Sequence, residues 1–271
     1  MKHVLALVLA AGLTGLAAIP AAMAGPTPQE VVRAEILSGW ETPQGTQMAG
    51  LRLTMAPGWK TYWRAPGDAG IPPSFDWSGS GNFAGARIFW PRPDVFSVNG
   101  MRSIGYKHEV VLPIELTPGT PGHPIRLNGV IELGVCQDIC VPVELRLRAR
   151  LPTATPDPAS IRRALAQRPV PGDQAGVGAV VCTAEPISDG MRLTARIAIP
   201  PMGGSEIAVV EAPDPGIWVS EAKVSRQGDR LVAVADLVPP QGRPFALDRS
   251  LVRITLLSGD KAVDIRGCKG S

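Results

Sequence analysis

The sequence predicts an all-β protein made of two β-sandwich domains joined by a short linker. Apolar and polar residues alternate in several segments, without a break in residues 143–151, and this period of two is typical of half-buried strands. Proline (28) and glycine (30) are frequent among the 271 residues, whereas helical patterns are scarce. The proline-rich stretch 153–158 interrupts the strands and marks the linker.

Residues 1–24 have the composition of a signal peptide. Lys2 precedes an apolar run that ends near Ile19, and an Ala-Met-Ala sequence at 22–24 provides a small-residue cleavage site. The run contains glycine and threonine and is shorter than the about 20 apolar residues that span a bilayer, which disfavours a membrane anchor. We therefore expect an exported chain that begins near Gly25 in the periplasm, an oxidising compartment where disulfides persist.

Charge and motif content exclude several classes of function. The formal net charge of +3 falls to +2 without Lys2, and no cluster of Lys and Arg resembles a phosphate-binding patch. The alternating Arg146, Arg148 and Arg150 fit the solvated face of a strand. No phosphate loop, nucleophile elbow or zinc-protease motif occurs. We expect no nucleic-acid partner, no cofactor, no metal, and no integral membrane segment after signal cleavage.

The first domain is predicted to span residues 25–152. An aromatic-rich strand at 59–64 places Trp59 and Trp63 on one face and Tyr62 on the other, which suits either a core strand or a platform on which a ligand stacks. Further strands are predicted at 30–37, 48–55, 86–90 and 106–116.

A proline-punctuated loop is predicted after the strand that ends at residue 90. Pro91 and Pro93 precede Val95 and Phe96, and the pattern predicts that both apolar side chains are exposed. Isolated surface aromatics are common and need no function. In a redox protein, however, such a side chain can shield a sulfur pair from chance thiols.

The chemical centre of the sequence is the segment 134–142, in which Cys136 and Cys140 lie between two predicted strands. A disulfide at this hairpin bend would close a ring of five residues and remove little chain entropy, worth about 2 kcal/mol. Such a bond suits a redox switch better than a staple. Three alternatives remain for the pair: redox exchange, an inert structural disulfide, and metal binding or a nucleophilic thiol.

Few other side chains could assist these cysteines. Only His108 and His123 follow the signal peptide, and nothing in the sequence places either beside a cysteine, which disfavours a metal site or a Cys-His hydrolase. Asp138 lies between the cysteines. It could accept a thiol proton, disfavour thiolates by like-charge repulsion, or be an ordinary turn residue.

The linker is predicted to cover residues 153–178. It contains the one persuasive helical stretch, in which Ser160 could cap a short helix that runs through Arg168.

Cys182 and Cys268 lie at the two ends of the second domain, predicted over residues 179–271. If paired, they would close a loop of roughly 87 residues, worth about 4.6 kcal/mol by the same entropy. Four cysteines allow three pairings, and only Cys136–Cys140 with Cys182–Cys268 keeps both bonds within a domain. We therefore predict one disulfide in each domain, the second of them structural.

Several separated motifs of the first domain occur in a distinctive order. They are Pro57-Gly58-Trp59-Lys60-Thr61-Tyr62-Trp63-Arg64, Pro66-Gly67-Asp68, Gly70-Ile71-Pro72, Trp90-Pro91, Ile104-Gly105-Tyr106, Val111-Leu112-Pro113 and Gly134-Val135-Cys136 with Cys140-Val141-Pro142. Together they resemble the amino-terminal periplasmic domain of the bacterial protein-disulfide reductase DsbD, and most closely its DsbD-like and ScsB-like forms. The resemblance covers most of residues 30–152, and the second domain is similar to the extra β domain of such forms.

The resemblance implies an immunoglobulin-like β-sandwich with a redox-active cysteine pair. By position, Cys136 and Cys140 would take electrons from a membrane-embedded thiol reductase and pass them to oxidised periplasmic thioredoxin-fold proteins. Phe96 occupies the loop that caps the pair in the family, and we expect Tyr106 and Asp138 to support the site. Fewer residues separate the cysteines than in the best-known members, and the transmembrane and thioredoxin-like domains of the full reductase are absent. The electron source is therefore expected in another protein.

Two functions follow from these observations. If its first cysteine pair is redox-active, the protein is a thiol-disulfide oxidoreductase of the protein-disulfide reductase type. The alternative is a non-catalytic periplasmic binding or assembly module with two structural disulfides. A reduction potential below about −300 mV for the Cys136–Cys140 pair would indicate a structural bond, and a higher one an exchangeable pair. The sequence leaves open which cysteine attacks and in which direction electrons flow.

Overall fold

The computed structural model describes residues 27–67, 70–98, 101–152, 156–242 and 245–270. The predicted signal peptide, residues 1–24, lies outside them. Within these ranges, no helix is long and apolar enough to cross a membrane. Most of the regular structure is strand, arranged in four sheets that form two β-sandwiches, which confirms the predicted all-β fold class.

The first sandwich follows a short helix, α1 (Pro28–Val31), and contains ten strands. They are β1 (Val32–Glu41), β2 (Gln47–Met55), β3 (Lys60–Tyr62), β4 (Ser74–Asp76), β5 (Gly85–Ile88), β6 (Asp94–Val98), β7 (Met101–Lys107), β8 (Glu109–Thr117), β9 (Ile125–Cys136) and β10 (Cys140–Leu151). A four-stranded sheet has the order β1-β2-β8-β5. A six-stranded sheet has the order β10-β9-β3-β7-β6, with β4 paired to β9.

The core of the first sandwich lies between these two sheets because the side chains of each strand alternate between its faces. In β10, Val143, Leu147 and Leu151 are buried, while Arg146 and Arg148 on the other face are exposed. The largest fully buried side chains of this sandwich include Trp63, Leu51, Leu112, Ile114, Leu116, Ile131 and Leu133. The apolar–polar alternation predicted for residues 143–151 therefore places the apolar side chains of β10 in the core and its charged side chains on the other face.

The second sandwich also pairs a four-stranded with a six-stranded sheet. Its strands are β11 (Val170–Pro171), β12 (Val180–Pro186), β13 (Met191–Ala198), β14 (Ile207–Glu211), β15 (Trp218–Val219), β16 (Lys223–Gln227), β17 (Arg230–Val238), β18 (Arg253–Ser258), β19 (Lys261–Arg266) and β20 (Lys269–Gly270). The sheet orders are β11-β19-β18-β14 and β15-β17-β13-β12-β20, with β16 paired to β17. The domain limits drawn from the sequence stay predictions.

One longer helix, α2 (Pro158–Ala166), follows the first sandwich. The predicted cap, Ser160, is wrong: Asp157 caps the helix, and its Oδ1 accepts a hydrogen bond from the Ser160 backbone N–H at 3.1 Å. Proline suits the first helical turn because no intrahelical hydrogen bond is lost there. Ile161 is fully buried in a small apolar cluster with side chains from β1, β2 and β8. The helix is thus packed onto the first sandwich.

The two sandwiches contact each other through ion pairs and apolar residues. Nε and Nη2 of Arg64 each donate a hydrogen bond to the carboxylate of Glu211 at 2.9 Å. Arg102 forms an ion pair with Glu221. Leu257 of the second sandwich is buried within the apolar core cluster of the first. The junction is therefore a packed interface with charged groups at its border.

Candidate functional site

The first disulfide joins Cys136 at the end of β9 to Cys140 at the start of β10. The two cysteines are direct partners in the antiparallel register, with their Cα atoms 4.1 Å apart. The second disulfide joins Cys182 to Cys268. Both bonds have the pairing predicted from the sequence. We call them the hairpin disulfide and the terminal disulfide.

The two sulfurs of the hairpin disulfide have different access to solvent. Cys136 is 2% exposed, whereas Cys140 is exposed in the turn region. Ile139, the residue before Cys140, is also strongly exposed, at 65%. A thiol that approaches from solvent therefore meets Cys140 before Cys136.

The hydroxyl of Tyr62 lies beside both sulfurs. Its oxygen is 2.9 Å from Sγ of Cys136 and 3.2 Å from Sγ of Cys140. Tyr62 is buried, and this burial raises the pKa of its hydroxyl, which therefore remains a hydrogen-bond donor at neutral pH. A donor in this position is suited to stabilising negative charge that develops on sulfur.

Strand register brings Tyr62 to the disulfide. Lys60 is the partner of Cys136 where β3 pairs with β9, and Tyr62 lies two residues further along, on the same face of the sheet. Trp63 and Val135 alternate with these residues and point into the core. The hairpin disulfide and Tyr62 thus lie on the face of the six-stranded sheet that is turned away from the core, which we call the outer face.

Glycines make room for the Tyr62 ring on the outer face. A Cβ atom at Gly134 would lie 3.1 Å from two ring carbons of Tyr62 and 2.9 Å from Cβ of Ile71. A Cβ atom at Gly70 would lie 2.8 Å from the Tyr62 ring and 2.2 Å from Cβ of Pro66. The ring is therefore packed between the sheet and two segments, residues 64–67 and 70–73, which we call the covering segments.

Phe96 is not an exposed loop residue, so that prediction is wrong. It lies in β6 and is 6% exposed, while its neighbour Val95 is 38% exposed. The strand begins at Asp94, directly after the two prolines, and pairs with β7. The ammonium groups of Lys60 and Lys107 lie 5.3 and 4.7 Å from the Phe96 ring centroid, within the range of cation–π interactions. Phe96 is therefore part of the outer-face packing, and its role as a cap stays a prediction.

The other two predicted supporting residues lie apart from the sulfur–hydroxyl contact. Tyr106 is buried in the core, where its hydroxyl donates to the Pro91 carbonyl at 2.9 Å, and burial raises its pKa well above the usual value. Asp138 is exposed in the turn between the cysteines. Tyr62 was missed as a site residue, although the sequence already placed it on the face opposite Trp59 and Trp63.

The described residues do not form a metal site. No group of three or more His, Cys, Asp and Glu side chains in those ranges is arranged to hold a metal ion.

Fold and family match together define a β-sandwich module of the thiol–disulfide exchange class, and the hairpin disulfide fits this class. Residues 29–152 match the family described as "Thiol:disulfide interchange protein DsbD, N-terminal". The first sandwich is thus a DsbD-like amino-terminal domain, as the sequence motifs predicted. The comparison with curated protein sequences found no match.

A solved structure shares the fold over most of the chain. The N-terminal periplasmic domain of ScsB from Proteus mirabilis aligns with a TM-score of 0.65 and 24% sequence identity, covering 89% of this chain and 94% of that chain. This likeness confirms the immunoglobulin-like β-sandwich fold. The reduced DsbD n-terminal domain from Neisseria meningitidis aligns with a TM-score of 0.29 and 14% identity, over 46% of this chain and 87% of that chain.

Proposed function

We propose that the hairpin disulfide is a redox-active centre that transfers electrons in the periplasm. It receives them from a membrane-embedded thiol reductase and passes them to oxidised thioredoxin-fold proteins. The observation that carries this proposal is the bond between the exposed residue Cys140 and the buried Cys136, whose sulfur lies 2.9 Å from the Tyr62 hydroxyl. Residues 1–24 would direct export and be cleaved near Ala24.

In the electron-accepting direction, a thiolate of the donor attacks the Cys140 sulfur. The bond between Cys140 and the donor forms as the Cys136–Cys140 bond breaks, and Cys136 leaves as a thiolate. The Tyr62 hydroxyl donates to that thiolate, and charge-assisted hydrogen bonds are stronger than neutral ones. The second donor thiolate then attacks the donor sulfur of the mixed disulfide. Cys140 is released, the donor becomes a disulfide, and two electrons have moved.

In the electron-donating direction, the reduced Cys140 attacks the disulfide of a thioredoxin-fold protein as a thiolate. One partner sulfur leaves as a thiolate, and Cys136 then attacks the Cys140 sulfur to release the second. The partner ends as a dithiol and this domain as a disulfide. Cys140 is therefore proposed as the exchanging residue in both directions. Cys136 is the leaving thiolate when electrons enter the domain and the resolving thiol when they leave it.

Single cysteine variants of the full exported chain test these roles. Cys136→Ser removes the resolving thiol, so we expect Cys140 to hold a purified, oxidised thioredoxin-fold protein as a stable mixed disulfide on a non-reducing gel. Cys140→Ser leaves only the buried Cys136, and we expect much less adduct. Equal trapping by both variants would contradict the assignment of Cys140.

The reduction potential separates this function from the alternative of a non-catalytic module. We expect a value above about −300 mV for the hairpin disulfide, measured against glutathione or dithiothreitol redox buffers. A value below that limit, together with no adduct from either variant, would make the bond structural and overturn the proposed function.

A further inference from the structure

The segments that cover Tyr62 also form part of the junction between the two sandwiches. Residues 64–67 begin directly after the buried Trp63, and the backbone N–H of Ile104 donates to the Pro66 carbonyl at 2.8 Å. Pro66 and Gly70 approach each other and the Tyr62 ring closely. One side of these segments therefore holds the Tyr62 ring, whose hydroxyl lies beside both sulfurs of the hairpin disulfide.

The other side is held by the second sandwich. Arg64 donates two hydrogen bonds to Glu211, each at 2.9 Å, and a third from Nη2 to Oγ1 of Thr255 at 3.2 Å. Its guanidinium lies 3.7 Å from the Trp63 ring centroid. The side chains of Arg64 and Glu211 are only 12% and 21% exposed. A bidentate pair with so little exposure is far less screened than a surface ion pair, and removing one partner leaves a charge buried.

A second ion pair joins the two sandwiches near Arg64 and Glu211. Arg102 of β7 pairs with Glu221 of the second sandwich. A Cβ atom at Gly67 would lie 2.7 Å from the backbone oxygen of Arg102, so this covering segment lies directly on β7. Two ion pairs between the sandwiches therefore lie beside the residues that pack on Tyr62.

We propose that the second sandwich is a positioning element for the hairpin disulfide. Its Glu211 holds Arg64, and thereby fixes the covering segments on the Tyr62 ring and the Tyr62 hydroxyl beside both sulfurs. Arg64 and Glu211 are positioning residues, since neither touches a sulfur. This inference deepens the proposed function and rests on it for its biological meaning, although its test does not require a protein partner.

The test compares Glu211→Gln with Asp236→Asn in the full chain. Glu211→Gln removes the charge of the interdomain pair at nearly constant size. Asp236→Asn does the same to another bidentate pair, in which Arg192 Nε and Nη2 donate to Asp236 at 2.7 and 2.9 Å, but this pair lies within the second sandwich. Both variants are compared with the wild type by urea unfolding, so that a general loss of stability can be recognised.

The first measured quantity is the rate constant for reduction of the hairpin disulfide by dithiothreitol, followed by alkylation of the released thiols. The Tyr62 hydroxyl donates to the Cys136 thiolate that leaves during reduction, and a released cover weakens this charge-assisted hydrogen bond. We therefore expect Glu211→Gln to react roughly fivefold more slowly than the wild type. Asp236→Asn should react at the wild-type rate. The second quantity is the alkaline absorbance titration of tyrosine. In Glu211→Gln, Tyr62 should lose part of its cover and ionise at lower pH than in the wild type.

The outcomes decide the proposal. An unchanged or faster reduction in folded Glu211→Gln, or the same slowing in Asp236→Asn, would overturn it. If Glu211→Gln does not fold, Glu221→Gln at the more exposed second pair takes its place. Slower reduction in that variant supports the proposal, and an unchanged or faster rate refutes it. Failure of the wild type to exchange with a thioredoxin-fold protein would instead count against the proposed function, because the ratio between variants and wild type is measured with a small thiol.

Discussion

Gly134→Ala is the substitution that most directly tests how the Tyr62 ring is packed beside the hairpin disulfide. The added Cβ would lie 2.9 Å from Cβ of Ile71 and 3.1 Å from Cδ2 and Cε2 of Tyr62. Carbon atoms in favourable contact are about 3.5–4.0 Å apart, so the ring must shift by about 0.4 Å or more. Because the ring is covered on its other side, that shift withdraws the hydroxyl from the two sulfurs or lifts the cover.

Two effects of opposite sign determine how much Gly134→Ala changes the free energy of unfolding. Replacing glycine by alanine in a compatible backbone stabilises a protein by about 0.4–1 kcal/mol, because the unfolded chain loses conformational freedom. Overpacking of a filled site destabilises by about 1–3 kcal/mol. The second effect is larger, and we expect Gly134→Ala to lose about 1–2 kcal/mol of unfolding free energy.

Gly85→Ala is the matched control. Gly85 also lies in a strand of the first sandwich, β5, and a Cβ atom there would have nothing within 4 Å. This variant should be as stable as the wild type or more stable by up to about 1 kcal/mol.

Urea unfolding with both disulfides intact measures the difference in unfolding free energy between the two variants. The dependence of that free energy on urea concentration should be the same in both if only the native packing has changed. A withdrawn hydroxyl stabilises the leaving Cys136 thiolate less, so we also expect dithiothreitol to reduce the hairpin disulfide more slowly in Gly134→Ala than in Gly85→Ala. If Gly134→Ala is as stable as Gly85→Ala and is reduced at the wild-type rate, the ring is not packed against Gly134 as described.

Three further predictions concern the disulfides and the buried aromatics. Mild reductant should open the hairpin disulfide well before the terminal one, since Cys182 is completely buried, and peptide mapping of alkylated thiols checks the order; equal resistance would contradict it. Phe96→Ala should lower the unfolding free energy by about 3 kcal/mol because the ring is buried. An unchanged midpoint of urea unfolding would contradict this burial. Tyr62 and Tyr106 are the two tyrosines of the chain, and burial raises the pKa of both. In the native protein, phenolate absorbance should therefore rise only above the pH near 10 at which the tyrosines of the unfolded protein titrate. The unfolding free energy that these groups contribute is complete below that pH and should fall as the pH rises above it. Identical titrations of the native and unfolded protein would refute this.

Local patterns in the sequence were sufficient for the fold class and for the chemical centre. The alternation of residues 143–151 reports the two environments of a strand, and these depend only on which face each side chain occupies. The four-residue spacing of Cys136 and Cys140 fixes a short loop whatever surrounds it. The family motifs of the first domain are likewise contiguous pieces of chain, and the match over residues 29–152 confirmed them.

The errors occurred where a residue's environment depends on distant partners. Phe96 follows two prolines and resembles a loop residue, but pairing with β7 and the ammonium groups of Lys60 and Lys107 bury it on the outer face. Ser160 has the side chain of a helix cap, yet Asp157 caps the helix and also pairs with Arg52, 105 residues away in the chain. Neither the burial of Phe96 nor the choice of helix cap can be predicted from the residues next to it in the sequence.

The sequence by itself determined that the chain is β-rich, that a cysteine pair closes a hairpin, and which family motifs the first domain carries. These are properties of periodicity and spacing, which are local. Only the tertiary structure decided that Cys136 is the buried sulfur, that Tyr62 donates to it, and that Arg64 connects the cover to a second sandwich. Tyr62 and Cys136 are 74 residues apart, and Arg64 and Glu211 are 147 apart. Such contacts form only after the strands have paired and the sheets have packed, so the physical interactions that set access to the disulfide are determined by register and docking.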